Sequence, residues 1–182
     1  MKVSKIDNSD LLILTPQTFE DDRGYFFESF NQNKLENLLK QKIFFVQDNE
    51  SRSIKGTLRG FHYQLSPFTQ TKLVRVIEGE VLDVVVDIRK ASKNFGKYWA
   101  FKISSDNKKQ LFIPQGYAHG FLTLSESAIF SYKVDNNYSP EHDRTIIWND
   151  DILQVDWGFS ESDLVISNKD RNGIKFAEAE YL

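Results

Sequence analysis

Beyond residue 44, apolar and polar residues alternate in short runs, and few windows keep the three- and four-residue spacing of a helix. Helical spacing is clearest in Asn31–Ile43, where Leu35, Leu38 and Leu39 share one side and Ser29 or Asn31 is available as N-cap. Strands are expected at Phe44–Gln47, Thr57–Gln64, Lys97–Ile103, Gln110–Ile113, His119–Leu124 and Ala128–Val134. Lys72–Ile77 and Val81–Ile88, joined by Glu78-Gly79-Glu80, read as a β-hairpin. Closely spaced strands with a single helix point to an all-β sandwich or barrel rather than alternating βα units. The less regular stretch Asp151–Leu182 is expected to wrap its outside. No repeat, low-complexity tract or Pro/Ser-rich linker divides the chain, so residues 1–182 read as one domain.

The period of two also assigns faces. Lys72 shares a face with Val74 and Val76, Tyr132 with Phe130 and Val134, and His62 with Leu58, Gly60 and Gln64. If those faces point inward, a barrel with Lys, Tyr and His inside resembles a ligand cavity more than a packed core. The same parity puts Arg59 and His62 on opposite faces, so both reach one ligand only if the strand bulges or a pocket bends around its end.

Composition narrows the chemistry. The chain contains no cysteine, which removes disulfides, thiolate nucleophiles and cysteine-held metal centres. With 23 Lys+Arg against 26 Asp+Glu the net charge is −3, and no basic stripe suggests nucleic acid as a partner. Apolar runs such as Leu11–Leu14 are too short for a membrane span or signal-peptide core, so no membrane partner and a cytoplasmic location are expected. Aromatics make up 14% of the chain, which suits either a β-rich core or stacking surfaces for a ring-bearing ligand.

Three histidines, His62, His119 and His142, are the candidates for metal or proton chemistry. A β-barrel metal site usually has His-x-His with a carboxylate and a further His, but His62-Tyr63-Gln64 carries an amide in the second position. The cationic Lys72 on a lumen face would also repel a divalent ion, so no metal and no cofactor are expected. General acid/base chemistry fits better. A histidine tuned by a carboxylate takes a proton, a tyrosine returns one, and an ammonium stabilises an enolate beside a ketone.

The motifs run in one order along nearly the whole chain. They include Arg23-Gly24-x-Phe26-x-Glu28, Gln47-Asp48-Asn49-x-Ser51, Leu58-Arg59-Gly60-x-His62-x-Gln64 and Lys72-Leu73-Val74-Arg75-Val76. Gly79-Glu80-Val81-x-Asp83-Val84, Ile113-Pro114-x-Gly116-x-Ala118-His119-Gly120-Phe121, Tyr132-Lys133, Tyr138-Ser139-Pro140 and Trp148-Asn149-Asp150 follow. This set resembles the dTDP-4-dehydrorhamnose 3,5-epimerase family. The resemblance implies a cupin-type β-barrel or jelly roll, a homodimer, and a dTDP-linked 4-keto-6-deoxy sugar as substrate, on the route to dTDP-L-rhamnose for polysaccharide biosynthesis. It also implies His62 as the base, Asp170 as its orienting carboxylate, Tyr132 as the proton donor and Lys72 as the group that stabilises the enolate oxygen. Arg23, Glu28, Gln47, Asp48, Asn49, Arg59 and His119 are implied to hold nucleotide, diphosphate and sugar, and Tyr138 to stack on thymine. Asp143, standing where the family carries a substrate-binding glutamate, and Lys169 are also implied to bind substrate. Lys169 precedes Asp170 in Ile166-Ser167-Asn168-Lys169-Asp170, where Leu-Ser-x-Lys-Asp is more usual. Epimerisation at C3 or C5 alone, another nucleotide-linked 4-keto sugar, a non-catalytic nucleotide-sugar binder and a metal-dependent cupin are the alternatives.

Overall fold

Val74, Val76 and Phe130 from one β-sheet meet Val81, Val85, Ile103 and Phe121 from another, and this apolar interior holds the two sheets face to face. Burial of each such side chain stabilises the fold by about 1.5–3 kcal/mol. The computed structural model describes residues 1–181; Leu182, the end of the expected wrapping segment, lies outside the described residues. In chain order the strands are β1 (Lys2–Lys5), β2 (Leu12–Thr15), β3 (Thr18–Asp21), β4 (Gly24–Phe27), β5 (Gln47–Ile54), β6 (Thr57–Gln64) and β7 (Lys72–Glu78). They continue with β8 (Glu80–Asp87), β9 (Tyr98–Ser104), β10 (Gln110–Ile113), β11 (Tyr117–Thr123), β12 (Ser127–Val134), β13 (Asp143–Thr145) and β14 (Val165–Ile166). The helices are α1 (Gln32–Leu39) and the one-turn α2 (Asn168–Arg171).

One sheet has the order β1-β2-β10-β7-β12-β5 and the other β13-β6-β11-β8-β9, with β14 added in parallel to β6. β3 and β4 form a separate two-stranded hairpin. Both outer faces are covered. Leu35 and Ile43 of the helical region pack on Leu14, Leu73 and Phe112 behind the first sheet. Leu153, Trp157, Leu164 and Phe176 of the C-terminal segment pack on Leu58, Phe61, Val84 and Val86 behind the second, as expected of a wrapping segment. No helix among the described residues is long and apolar enough to cross a membrane.

Four expectations are corrected. β7 and β8 are not a hairpin, because Gly79 turns the chain from one sheet into the other; both strands direct valines into the shared interior and pair with different neighbours. The strand expected at Phe44–Gln47 begins at Gln47 and runs to Ile54 instead, while Phe44 remains 75% exposed. Its sequence, Gln-Asp-Asn-Glu-Ser-Arg-Ser-Ile, is polar because it is an edge strand paired only with β12, so it lacks an apolar signal. The helix is shorter than Asn31–Ile43. Asn31, not Ser29, caps it by accepting the Lys34 N–H, and Lys40 ends it in the left-handed region. Finally, Leu58 does not share His62's face, for a reason that creates the site.

Candidate active site

β6 and β11 pair His62 with His119 and Arg59 with Phe121, so three steps along β6 match two along β11. The extra residue is a β-bulge, which reverses side-chain parity. Leu58 therefore packs outward with Phe61 and Tyr63, while Arg59, His62 and Gln64 line one cavity. Gly60 permits it: φ is +117°, and a Cβ there would lie 2.5 Å from the Gly120 Cα and 2.6 Å from the His119 carbonyl oxygen.

The cavity, about 270 Å³, opens between the sheets. Lys72 of β7, Phe130 and Tyr132 of β12 face His62 of β6 and His119 of β11 across it, and Tyr138, Asp143 of β13 and Lys169 of α2 complete its rim. It suits a sugar ring more than a whole nucleotide sugar, so a nucleotide would lie across the mouth, where Tyr138 is exposed.

His62 Nε2 is 2.6 Å from Asp170 Oδ1. An ionised carboxylate only accepts, so Nε2 carries the proton and Nδ1 is left to take one. Asp170 is buried and held from several sides. Ser167 Oγ donates to its Oδ2 at 2.7 Å while accepting the Asp170 N–H, and the Gly60 N–H points at Oδ1. Burial alone would raise this carboxyl, but the hydrogen bond and charge of His62, with Ser167 and Gly60, outweigh it and hold the carboxyl below its usual range.

Lys72 is only 8% exposed, and burial lowers its ammonium to about 8, even though Asp143 and Asp83 oppose the shift. Burial likewise raises the Tyr132 phenol, with the Arg59 charge pulling the other way. Arg59 Nε donates to Ser53 Oγ at 3.2 Å. Asp143 accepts from Tyr138 Oη at 3.0 Å and pairs with Lys169, so the shortened carboxylate ties the rim together.

His62, Lys72, His119, Tyr132, Arg59, Tyr138, Asp143 and Lys169 are thus gathered, with Asp170 directly behind His62. Arg23, Glu28, Gln47, Asp48 and Asn49 do not line this cavity. Arg23 sits on the β3–β4 turn, 90% exposed and paired with Asp21, and Glu28 pairs with Lys34. Gln47 accepts the Tyr138 N–H and donates to Asn49, so this pair supports the rim from behind, whereas Asp48 pairs with Lys133. Sequence reasoning gave no role to Asp83, whose carboxylate contacts His119, or to Gln64 and Gln70 of the lining. An aspartate inside the apolar run Val81–Val86 was the available signal. Among the described residues no group of three or more His, Asp or Glu side chains gathers as a metal site would require.

A family model described as dTDP-4-dehydrorhamnose 3,5-epimerase matches residues 5–178. A protein of that name from Shigella flexneri is 50% identical over 181 residues, covering 100% of this chain and 99% of its own. The crystal structure of dTDP-4-dehydrorhamnose 3,5-epimerase from Elizabethkingia anophelis is 45% identical with a TM-score of 0.93, covering 100% of this chain and 99% of that one. That of a dTDP-6-deoxy-D-glucose-3,5-epimerase from Legionella pneumophila, in complex with dTDP-4-keto-L-rhamnose, is 44% identical with a TM-score of 0.92, covering 98% and 94%. The fold shared with these proteins is the cupin-type β-barrel.

Proposed function

This chain belongs to the dTDP-4-dehydrorhamnose 3,5-epimerase family, and from that membership we propose how its own residues perform the reaction. It is an isomerase that converts dTDP-4-dehydro-6-deoxy-D-glucose into dTDP-4-dehydro-L-rhamnose in dTDP-L-rhamnose biosynthesis. The observation that carries the assignment of roles is the arrangement of His62 and Tyr132 on facing sheets of one cavity, with the buried Lys72 also lining it.

His62 removes the proton at C5, and the C–H electron pair moves into the C4 carbonyl to give an enolate. Asp170 keeps the imidazole oriented and stabilises it once protonated. Lys72 stabilises the enolate oxygen, an interaction strengthened by burial. Tyr132 delivers a proton to the opposite face, and the same cycle at C3 completes the inversion from the D-xylo to the L-lyxo sugar. His62 loses and Tyr132 regains a proton through solvent, so nothing is oxidised or reduced and no cofactor is consumed. Arg59, Lys169 and His119 hold diphosphate and sugar, with Asp143 and Tyr138 at the nucleotide end.

We further propose a cytoplasmic homodimer in which Arg23 and Glu28 serve the site of the second copy. Neither lines this chain's own cavity, and the hairpin that carries Arg23 exposes Phe19, Tyr25 and Phe26, the last by 69%. The polar edge strand β5, with Gln47, Asp48 and Asn49, offers a pairing surface beside the cavity rim.

Solvent deuterium incorporation into dTDP-4-dehydro-6-deoxy-D-glucose, followed by NMR with EDTA present, tests the mechanism. Exchange at both C3 and C5 is expected, lost in His62→Ala and in Asp170→Asn. Tyr132→Phe should still exchange by way of His62 but epimerise slowly. Wild-type rates in His62→Ala would remove His62 from its role, and dependence on metal would overturn the acid/base reading.

A further inference from the structure

Asp83 is fully buried on β8, between the inward-facing Val81 and Val85, and stands behind His119 rather than in the cavity lining. Both of its oxygens lie near His119 Nε2, at 3.0 and 2.9 Å. Among the described residues its side chain has no other hydrogen-bond partner, and no Lys or Arg pairs with it. A buried carboxylate held by one imidazole is expensive. If packing were its only purpose, an apolar pair of similar volume would serve as well or better.

We propose that Asp83 is a positioning residue of the epimerase site, accepting the Nε2 proton of His119 to fix which ring nitrogen meets the substrate. The inference rests on the reading of His119 and Lys72 as substrate contacts. Because a carboxylate only accepts, Asp83 makes Nε2 the protonated nitrogen and leaves Nδ1, which makes no hydrogen bond among the described residues, to the cavity. The groups that face or influence Lys72 come from several elements. They are Asp83 of β8, His119 of β11, His62 and Arg59 of β6, Tyr132 of β12, Tyr138 of the following loop, Asp143 of β13 and Lys169 of α2. Of these, Asp143 and Asp83 favour the charged lysine and Lys169 opposes it. Asp143 is already engaged with Lys169 and Tyr138 at the rim, so Asp83 is the carboxylate fixed inside the barrel. The two histidines thereby have matching supports with different consequences. Asp170 orients the proton acceptor, and Asp83 orients a binding group.

The test compares Asp83→Asn, Asp83→Glu, Lys72→Met and His119→Asn with wild type, measuring kcat and KM from neutral to alkaline pH. Asp83→Asn is expected to bind dTDP, and the alkaline limb of its kcat profile to move about one pH unit toward acid, a loss of roughly tenfold above that limb. Asp83→Glu should restore the limb toward wild type. In wild-type protein, ¹⁵N NMR of the histidines should give His119 as the Nε2–H tautomer, with a mixture of tautomers in Asp83→Asn. An unmoved limb and tautomer in a folded Asp83→Asn would overturn the proposal. If Asp83→Asn does not fold, the wild-type spectrum decides: an Nδ1–H tautomer at His119 overturns it and Nε2–H supports it. Full activity in Lys72→Met and His119→Asn would instead defeat the reading of the site on which the inference rests.

Discussion

Lys72 has an energetic cost that its chemistry explains. Burial lowers its ammonium from an ordinary 10.5 to about 8. Below pH 8 both folded and unfolded chains carry the charge, and the folded one bears the full penalty. As pH rises from 8 to 10.5 the unfolded chain holds a proton that the folded chain has released, so stability increases, and above 10.5 the penalty is gone. Lys72→Met is therefore expected to abolish epimerisation yet stabilise the protein at neutral pH by on the order of 1–3 kcal/mol, the lower value reflecting the charge lost beside Asp83 and Asp143. Urea unfolding across this pH range checks it: the rise seen in wild type should be missing from the variant. Asp170 has the opposite sign. Its depressed carboxyl contributes stability that is fully present above the ordinary 3.8 and is lost as pH falls through the lower folded value. Asp170→Asn should accordingly lose turnover and show a shallower acid decline in stability. At this scale the sequence was informative: Lys72 and Tyr132 could be nominated from residue type and strand parity, because an isolated polar residue on an apolar face is visible in a linear pattern. His62 was legible by residue type alone, since the bulge breaks its parity with Leu58. Asp83 was present in that pattern, but its partner His119 lies 36 positions away, so its purpose was not visible.

Among the elements, the β6 bulge does the most for function. Regular pairing would turn Arg59 away from the cavity whenever His62 faced it. One extra residue against β11 brings both to the same side and sends Leu58 to the outer core. Gly60→Ala is expected to destabilise the fold by about 2 kcal/mol or more, since its Cβ meets backbone and its φ disfavours a side chain. It should also reduce kcat by displacing Arg59 and His62 together. Denaturant unfolding with steady-state kinetics on the folded fraction checks both, and a variant with wild-type stability would show that β11 can give way. Parity arithmetic on the sequence required a bulge or a bent pocket without locating it, because a bulge is a relation between two strands. Gly79 teaches the same lesson, since a glycine turn between two β-patterned runs suits a hairpin and a corner between sheets equally well, and only the partners of β7 and β8 distinguish them.

For the whole molecule, the hairpin that carries Arg23 is exposed and aromatic, while Arg23 and Glu28, expected to help hold the substrate, do not line the cavity. If Arg23 acts on the second copy's site, Arg23→Ala and Asp170→Asn each inactivate both sites of their own dimers. Mixed dimers then have one site with both defects and one with neither. Unfolding and refolding an equal mixture should restore about a quarter of wild-type activity by random pairing. Recovery no greater than the sum of the two variants would place Arg23 in its own chain's site or in none. Sedimentation of the wild type gives the accompanying measure of a dimer.

Local periodicity and residues close together in the chain suffice for the all-β architecture, the covering C-terminal segment and the chemical types at the site. Which strands become neighbours, where the bulge falls and which carboxylate stands behind which histidine depend on long-range packing. His62 and Asp170 are 108 positions apart and 2.6 Å apart in space. No local pattern encodes such a distance, because it results from the two sheets closing on a common apolar interior and the C-terminal segment packing against the back of one of them.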